Sequence, residues 1–187
     1  MDRPLLFLDF DDVLCLNAPL GGHDLGQAIR NVAVDGRPAQ EFQHVWRGVF
    51  DAACVSRLRA LHEEFNLRYV VSSSWALLMN KAALQFGLRQ CSLGFVVDNL
   101  HSSWTTPKDY GRARDRVGEV LAWIGAHPQE AAAWVVLDDV ESGASLADWP
   151  RPGERRFVVL CAPGVGLDTA RASELRTALL ARVPPLP

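Results

Sequence analysis

Short, nearly unbroken apolar runs alternate along this chain with longer stretches in which apolar residues recur at helical spacing. Five runs read as strands: Leu5–Asp9, Arg68–Ser72, Leu93–Val97, Trp134–Asp138 and Phe157–Cys161. They are continuous rather than alternating, which suits strands covered on both faces of a parallel sheet. Between them lie helices. Asp51 stands as an N-cap before Val55, Leu58, Leu61 and Phe65, which share one helical face. A second helix is expected from about Ser74 to Phe86, stopped by Gly87. A third runs from Pro107 to about Ala126, ahead of Pro128. The last opens at Asp168 and ends near Val183, before Pro184. The alternation predicts an α/β fold with a mainly parallel central sheet. Residues 15–50 break the rhythm with Gly21, Gly22, Gly26, Gly36, Gly48, Pro19 and Pro38. They read as an insertion after the first strand, carrying a short hairpin. The terminal VPPLP is expected to fray.

Length and composition narrow the class. A chain of 187 residues with 49% hydrophobic and 22% charged residues fits one globular domain with a sizeable core. No apolar run approaches the roughly 18 residues of a membrane span, and the N-terminus lacks a signal-peptide pattern, so the expected location is the cytosol. Cys15, Cys54, Cys91 and Cys161 are scattered without a Cys-x-x-Cys pair. They read as buried free thiols rather than as a zinc site or a disulfide framework. The net charge of −3 gives no global attraction to nucleic acid or acidic membrane. Of 19 basic residues only Lys81 and Lys108 are lysines, so a required lysine is easy to locate.

In open α/β sheets ligands bind beyond the carboxyl ends of the strands. The first strand leaves Asp9, Asp11 and Asp12 there; the second leaves Ser72, Ser73 and Ser74; the fourth leaves Asp138 and Asp139; and Lys108 precedes the third helix. Each part alone has an ordinary explanation as a turn former, a helix cap or a solvated lysine. Together they form a coherent set at one edge of the sheet. Carboxylates at this density repel one another unless a cation or a proton intervenes. Hard oxygen ligands from both acidic clusters suit Mg²⁺, which also orients phosphoryl groups. Asp9, on a rigid strand end, is placed to attack phosphorus. Asp11 is placed to protonate the leaving oxygen and then to activate water. A serine hydroxyl and the lysine ammonium would hold the phosphoryl oxygens.

These residues resemble the haloacid-dehalogenase-like (HAD) superfamily. DFDDVL at 9–14 is similar to its first motif, VVSSSW at 70–75 to the second, and VVLDD at 135–139 to the fourth. The closer resemblance is to the HAD domain of Swiss Army Knife RNA repair proteins, through SSSW, RVGEVLAWI at 116–124, VVLDD and GLD at 166–168. It implies a Rossmann-like three-layer sandwich, a small or absent cap, and a phosphatase acting through an aspartyl-phosphate. Asp9 would be the nucleophile, Asp11 the acid/base and Ser72 the second-motif hydroxyl. Asp9, the Asp11 main-chain carbonyl, Asp138 and Asp139 would hold Mg²⁺. Ser72, Ser73, Lys108 and Arg116 would hold the phosphate. Lys108 is the first choice for the third-motif cation, and Arg116, Arg112 and Arg114 are alternatives; Lys81, about two turns into the second helix, is disfavoured. The family usually has Gly where this chain has Asp12, which adds a third negative charge. Only 15–50 has the length for a cap, so an open site would admit a phosphorylated RNA or DNA end. Trp104 and the arginines at 112, 114 and 116 would flank it, or else form core and solvated surface.

Two other classes compete. A non-catalytic HAD-like binding domain would hold metal without turnover. A phospho-accepting receiver domain needs its Asp on a middle strand, where this chain places serines. A P-loop protein lacks its motif here.

Overall fold

The computed structural model describes residues 3–33, 43–108 and 115–183. A five-stranded, all-parallel sheet forms the centre, in the order β3-β2-β1-β4-β5. The strands are β1 (Leu5–Leu8), β2 (Arg68–Val71), β3 (Leu100–Thr105), β4 (Trp134–Asp139) and β5 (Val158–Cys161). Every residue of β1 and β4 is buried, as expected for central strands with helices on both faces. The fold is thus the Rossmann-like α/β class. The helices are α1 (Gly22–Ala33), α2 (Gln43–Val49), α3 (Ala52–Phe65), α4 (Trp75–Leu78), α5 (Lys81–Gln90), α6 (Gly94–Asp98), α7 (Arg116–Ala126) and α8 (Thr169–Leu180). No helix among the described residues is long and apolar enough to cross a membrane.

Topology selects the site. From β1 the chain moves outward to β2 and β3, then crosses back over β1 to place β4 on its other side. The reversal leaves a crevice between the carboxyl ends of β1 and β4, the usual ligand position in such sheets. In register, Leu8 lies beside both Leu137 and Val71, so Asp9, Asp138 and Ser72 emerge side by side at one edge.

Local chemistry explains the helix ends. The carboxylate of Asp51 accepts from the Cys54 N–H at 2.8 Å, and that of Asp168 from the Arg171 N–H at 2.7 Å. Such caps each contribute about 1 kcal/mol. All four cysteines are buried and free, and burial pushes the Cys15 and Cys161 thiols up to about 12.

Several expectations are corrected. Leu93–Val97 is not a strand; it leads into helix α6, whose Val96 and Val97 are buried. The third strand instead comes from LHSSWT, an edge strand with little apolar character. The helix expected over 74–86 is two helices, with Asn80 capping the second through the Ala83 N–H at 3.0 Å. Gly87 is no stop signal but lies inside α5, where a Cβ would stand 2.1 Å from the Trp46 ring. Between β1 and α3 the described residues form α1 and α2 rather than a hairpin. The helix expected from Pro107 begins at Arg116, capped by Asp115, whose carboxylate accepts from the Gly118 N–H at 2.8 Å.

Candidate active site

Backbone hydrogen bonds lock the three strand ends together. The Asp9 N–H donates to the Leu137 carbonyl at 3.0 Å, and the Ser72 N–H to the Leu8 carbonyl at 2.8 Å. Asp9, Ser72, Ser73, Asp138 and Asp139 are all buried there. Asp9, Asp138 and Asp139 each offer an oxygen within 4.8 Å of the others.

The electrostatics are those of crowded carboxylates. Burial pushes the Asp9 carboxyl up to about 6, against the opposing influence of Arg116, the Ser73 hydroxyl and the Phe10 backbone N–H. Asp138 is raised well above the usual carboxylate range by burial and by the Asp9 charge beside it. Two buried oxygens, Asp9 Oδ1 and Asp138 Oδ2, have no hydrogen-bond partner. The hydroxyl of Ser142 stands 3.2 Å from Asp9 Oδ2 and 3.0 Å from Asp138 Oδ1, and also contacts Asp139. One hydroxyl has one proton to donate, so it satisfies one of the three. Asp139 Oδ1 is better served, accepting from the N–H groups of Glu141 and Ser142 at 2.6 and 2.9 Å. Clustered hard oxygens, two of them without a hydrogen bond, fit a small divalent cation.

The two candidate cations occupy different places. Arg116 opens α7, is buried, and puts Nε 3.1 Å from Asp138 Oδ2 and Nη2 3.9 Å from Asp9 Oδ1. Burial disfavours its charge, but Asp138, Asp9 and Glu119 outweigh that and raise its pKa. Lys108 pairs with Glu119, which also lies 3.4 Å from Arg116 Nη1. Burial, followed by repulsion from Arg116, lowers the Lys108 pKa. Both cations line an open cleft of about 420 Å³, together with Ser74, Leu77, Glu119, Ser142 and Ser145.

Asp11 stands apart from the carboxylate trio. Its Oδ2 accepts from the Trp75 indole N–H at 2.8 Å, so its side chain is not part of the candidate metal group. Burial raises its pKa, opposed chiefly by that indole. Asp12 is also turned away: with φ at 51° it accepts from the Gly164 N–H at 2.7 Å and from Asn17 Nδ2 at 3.3 Å. Its charge caps a loop instead of joining the metal group. Ser72 Oγ is buried and unpartnered, while Ser73 Oγ accepts from the Trp75 N–H at 3.3 Å. Trp104 is half-buried against the core, which favours the core reading over a stacking platform. Lys81 is the first residue of α5, not two turns into a helix. Arg112 and Arg114 lie outside the described residues.

Sequence reasoning missed Ser142 and Glu119. Glu119 had a signal, its i,i+3 spacing from Arg116 on one helix face. Ser142 had none beyond its nearness to the acidic pair.

A family model described as the HAD domain in Swiss Army Knife RNA repair proteins matches residues 5–172. Comparison with curated proteins and with solved structures returned no match.

Proposed function

Because the chain belongs to the family of HAD domains found in Swiss Army Knife RNA repair proteins, we propose that it is a Mg²⁺-dependent phosphomonoester hydrolase acting through an aspartyl-phosphate on Asp9. The family itself implies hydrolase or phosphatase-type chemistry. The observation that carries the finer reading is the buried trio Asp9, Asp138 and Asp139 at the strand-order reversal, two of whose oxygens make no hydrogen bond and reach only Arg116, at 3.9 and 3.1 Å. These residues would hold Mg²⁺, which when bound supplies charge neutralisation and orientation of the phosphoryl group.

The chain's own residues account for the rest. Asp9 lies on a strand end fixed by the Leu137 carbonyl, which limits the motion of a nucleophile. Its oxygen forms the bond to phosphorus as the ester oxygen departs. Asp11 gives its proton to that departing oxygen, then takes one from the water that cleaves the aspartyl-phosphate. Ser72 Oγ, unpartnered and buried, is free to donate to a phosphoryl oxygen. Lys108 lines the cleft and is our choice for the phosphate cation, whereas Arg116 is committed to Asp138 and Asp9. Residues 15–50 would act as an insertion or minimal cap. The open cleft and the family's setting favour phosphorylated RNA or DNA ends as substrates.

The test is phosphate release with Mg²⁺ and with EDTA, for wild type and Asp9→Asn. The panel holds an aryl phosphate, sugar phosphates, nucleotides, and oligonucleotides with 5′- or 3′-phosphate. Mg²⁺-dependent release that vanishes in the variant, highest on oligonucleotide ends, is the expected result. Retained turnover in Asp9→Asn removes the nucleophile assignment. Metal binding without turnover of any substrate supports a binding domain instead.

A further inference from the structure

Asp11 is held by a group to which no role has yet been given. Its Oδ2 accepts from Trp75 Nε1 at 2.8 Å, while its Oδ1 is buried without a hydrogen-bond partner. An indole N–H can only donate. Oδ2 is therefore committed as an acceptor, and a transferable proton has to sit on Oδ1. Gly22, the first residue of α1, packs closely against that oxygen and the indole, leaving room for the pair only because it has no side chain. A Cβ at Gly22 would stand 2.7 Å from Asp11 Oδ1 and 3.2 Å from Trp75 Nε1.

The indole is itself braced. Trp75 is 1% exposed, with its ring centroid 5.1 Å from Phe10, 5.3 Å from Phe50 and 6.4 Å from Trp46. A ring enclosed this closely has little freedom to change rotamer. Gly22, Trp46 and Phe50 all come from the segment between β1 and α3.

We propose that Trp75 is a positioning residue for Asp11, fixing which carboxyl oxygen carries the transferable proton, and that Gly22, Trp46 and Phe50 brace and aim its indole. This rests on the phosphatase reading above. The proton passes from Asp11 Oδ1 to the ester oxygen as its bond to phosphorus breaks and the bond from Asp9 forms. Proton donation matters most when the departing group is a poor one. An alkoxide has to be protonated as it leaves; a nitrophenolate does not.

The readout is the ratio of kcat/KM for 4-nitrophenyl phosphate to kcat/KM for glycerol phosphate, which reports the first phosphoryl transfer. Trp75→Phe is expected to raise this ratio at least about tenfold, within the range that general acids contribute. Asp11→Ala raises it at least as far, and adding Trp75→Phe to Asp11→Ala changes it no further, because the two act as one unit. An unchanged ratio, or an additive effect in the double variant, overturns the proposal. A purely structural role would lower both rate constants together. The contact is also read without turnover, from the assigned indole N–H proton of Trp75 in metal-free protein. Its resonance is expected to move upfield in Asp11→Ala, and an unmoved resonance overturns the proposal even if Trp75→Phe fails to fold. Should wild type release phosphate from nothing, the phosphatase reading falls while the indole resonance still decides the contact.

Discussion

Replacing the nucleophile candidate should make the metal-free protein more stable. Asp9 is buried, and its carboxyl is pushed up from 3.8 to about 6. Each pKa unit corresponds to about 1.36 kcal/mol, so keeping Asp9 ionised in the folded state costs about 3 kcal/mol at neutral pH. The sign comes from proton binding. Between 3.8 and about 6 the folded state binds more protons than the unfolded chain. Wild-type stability therefore falls as pH rises through that window and stays low above it. The asparagine side chain of Asp9→Asn has no proton to exchange. Its carbonyl can still accept from Ser142, and its amide can donate toward Asp138, whose Oδ2 makes no hydrogen bond and has only the Arg116 ion pair. In EDTA at about pH 7.5, Asp9→Asn is expected to gain up to about 3 kcal/mol, which for a chain of this size is roughly 6–12 °C in Tm. The gain should shrink steadily between about pH 7 and about pH 4. Thermal and urea unfolding across that range measure it. A variant less stable than wild type near neutral pH, or a gain independent of pH, refutes the claim that the site confines an uncompensated charge. Such a cost is what a functional constellation of buried charge, held against stability, would carry.

The same geometry sets further expectations. Mg²⁺ at about 100 times its Kd should stabilise wild type by about 2.7 kcal/mol, reversed by EDTA and absent in Asp139→Asn; an undiminished Tm rise in that variant would exclude Asp139 as a ligand. Arg116→Ala strands Asp138 beside Asp9 and should cost about 3–5 kcal/mol in urea unfolding. Lys108→Ala should instead lower kcat by about 10²–10³-fold with a much smaller loss of stability; the reverse pattern would make Arg116 the phosphate cation. Asp12→Gly suits the left-handed backbone but loses contacts to Gly164 and Asn17, so its stability should change by about 1 kcal/mol or less. Its Mg²⁺ titration should match wild type, and a markedly altered affinity would put Asp12 in the metal site.

Legibility of the sequence tracks burial. The central strands β1 and β4 are covered on both faces, so their apolar runs are unambiguous, as are the acidic residues that end them. The edge strand β3 pairs on one side only and carries His101, Ser102 and Ser103, so its pattern is silent. The neighbouring Leu93–Val97 run looks more strand-like because a short helix also buries apolar residues. Gly87 misleads for a different reason: a glycine required by the Trp46 ring resembles one required by a helix end. The tolerance of Asp12 for a left-handed turn is readable from its residue type, and its φ agrees. The direction of its carboxylate depends on Gly164, 152 residues away in the chain, and no local pattern encodes that. The choice between Lys108 and Arg116 is equally illegible, since both precede or open α7 and only their partners separate them.

Charge balance gives the acidic knot its meaning. Asp9, Asp138 and Asp139 bring three negative charges when ionised, and Arg116 returns one positive charge through Asp138 and Asp9. Lys108 is matched by Glu119, and Asp11 is steadied separately by the Trp75 indole. Ser142 redistributes a single proton and adds no charge. Two negative charges remain in a volume from which water is largely excluded. A monovalent ion would leave one of them uncompensated, at a cost of several kcal/mol. A divalent cation cancels both, and its preference for oxygen ligands matches the donors present. On the phosphatase reading, a phosphoryl dianion entering a site so neutralised would still need positive charge of its own. Lys108, in the cleft beside Glu119, would supply it by sharing its charge between Glu119 and the phosphoryl group, because the single charge of Arg116 is already taken by Asp138 and Asp9.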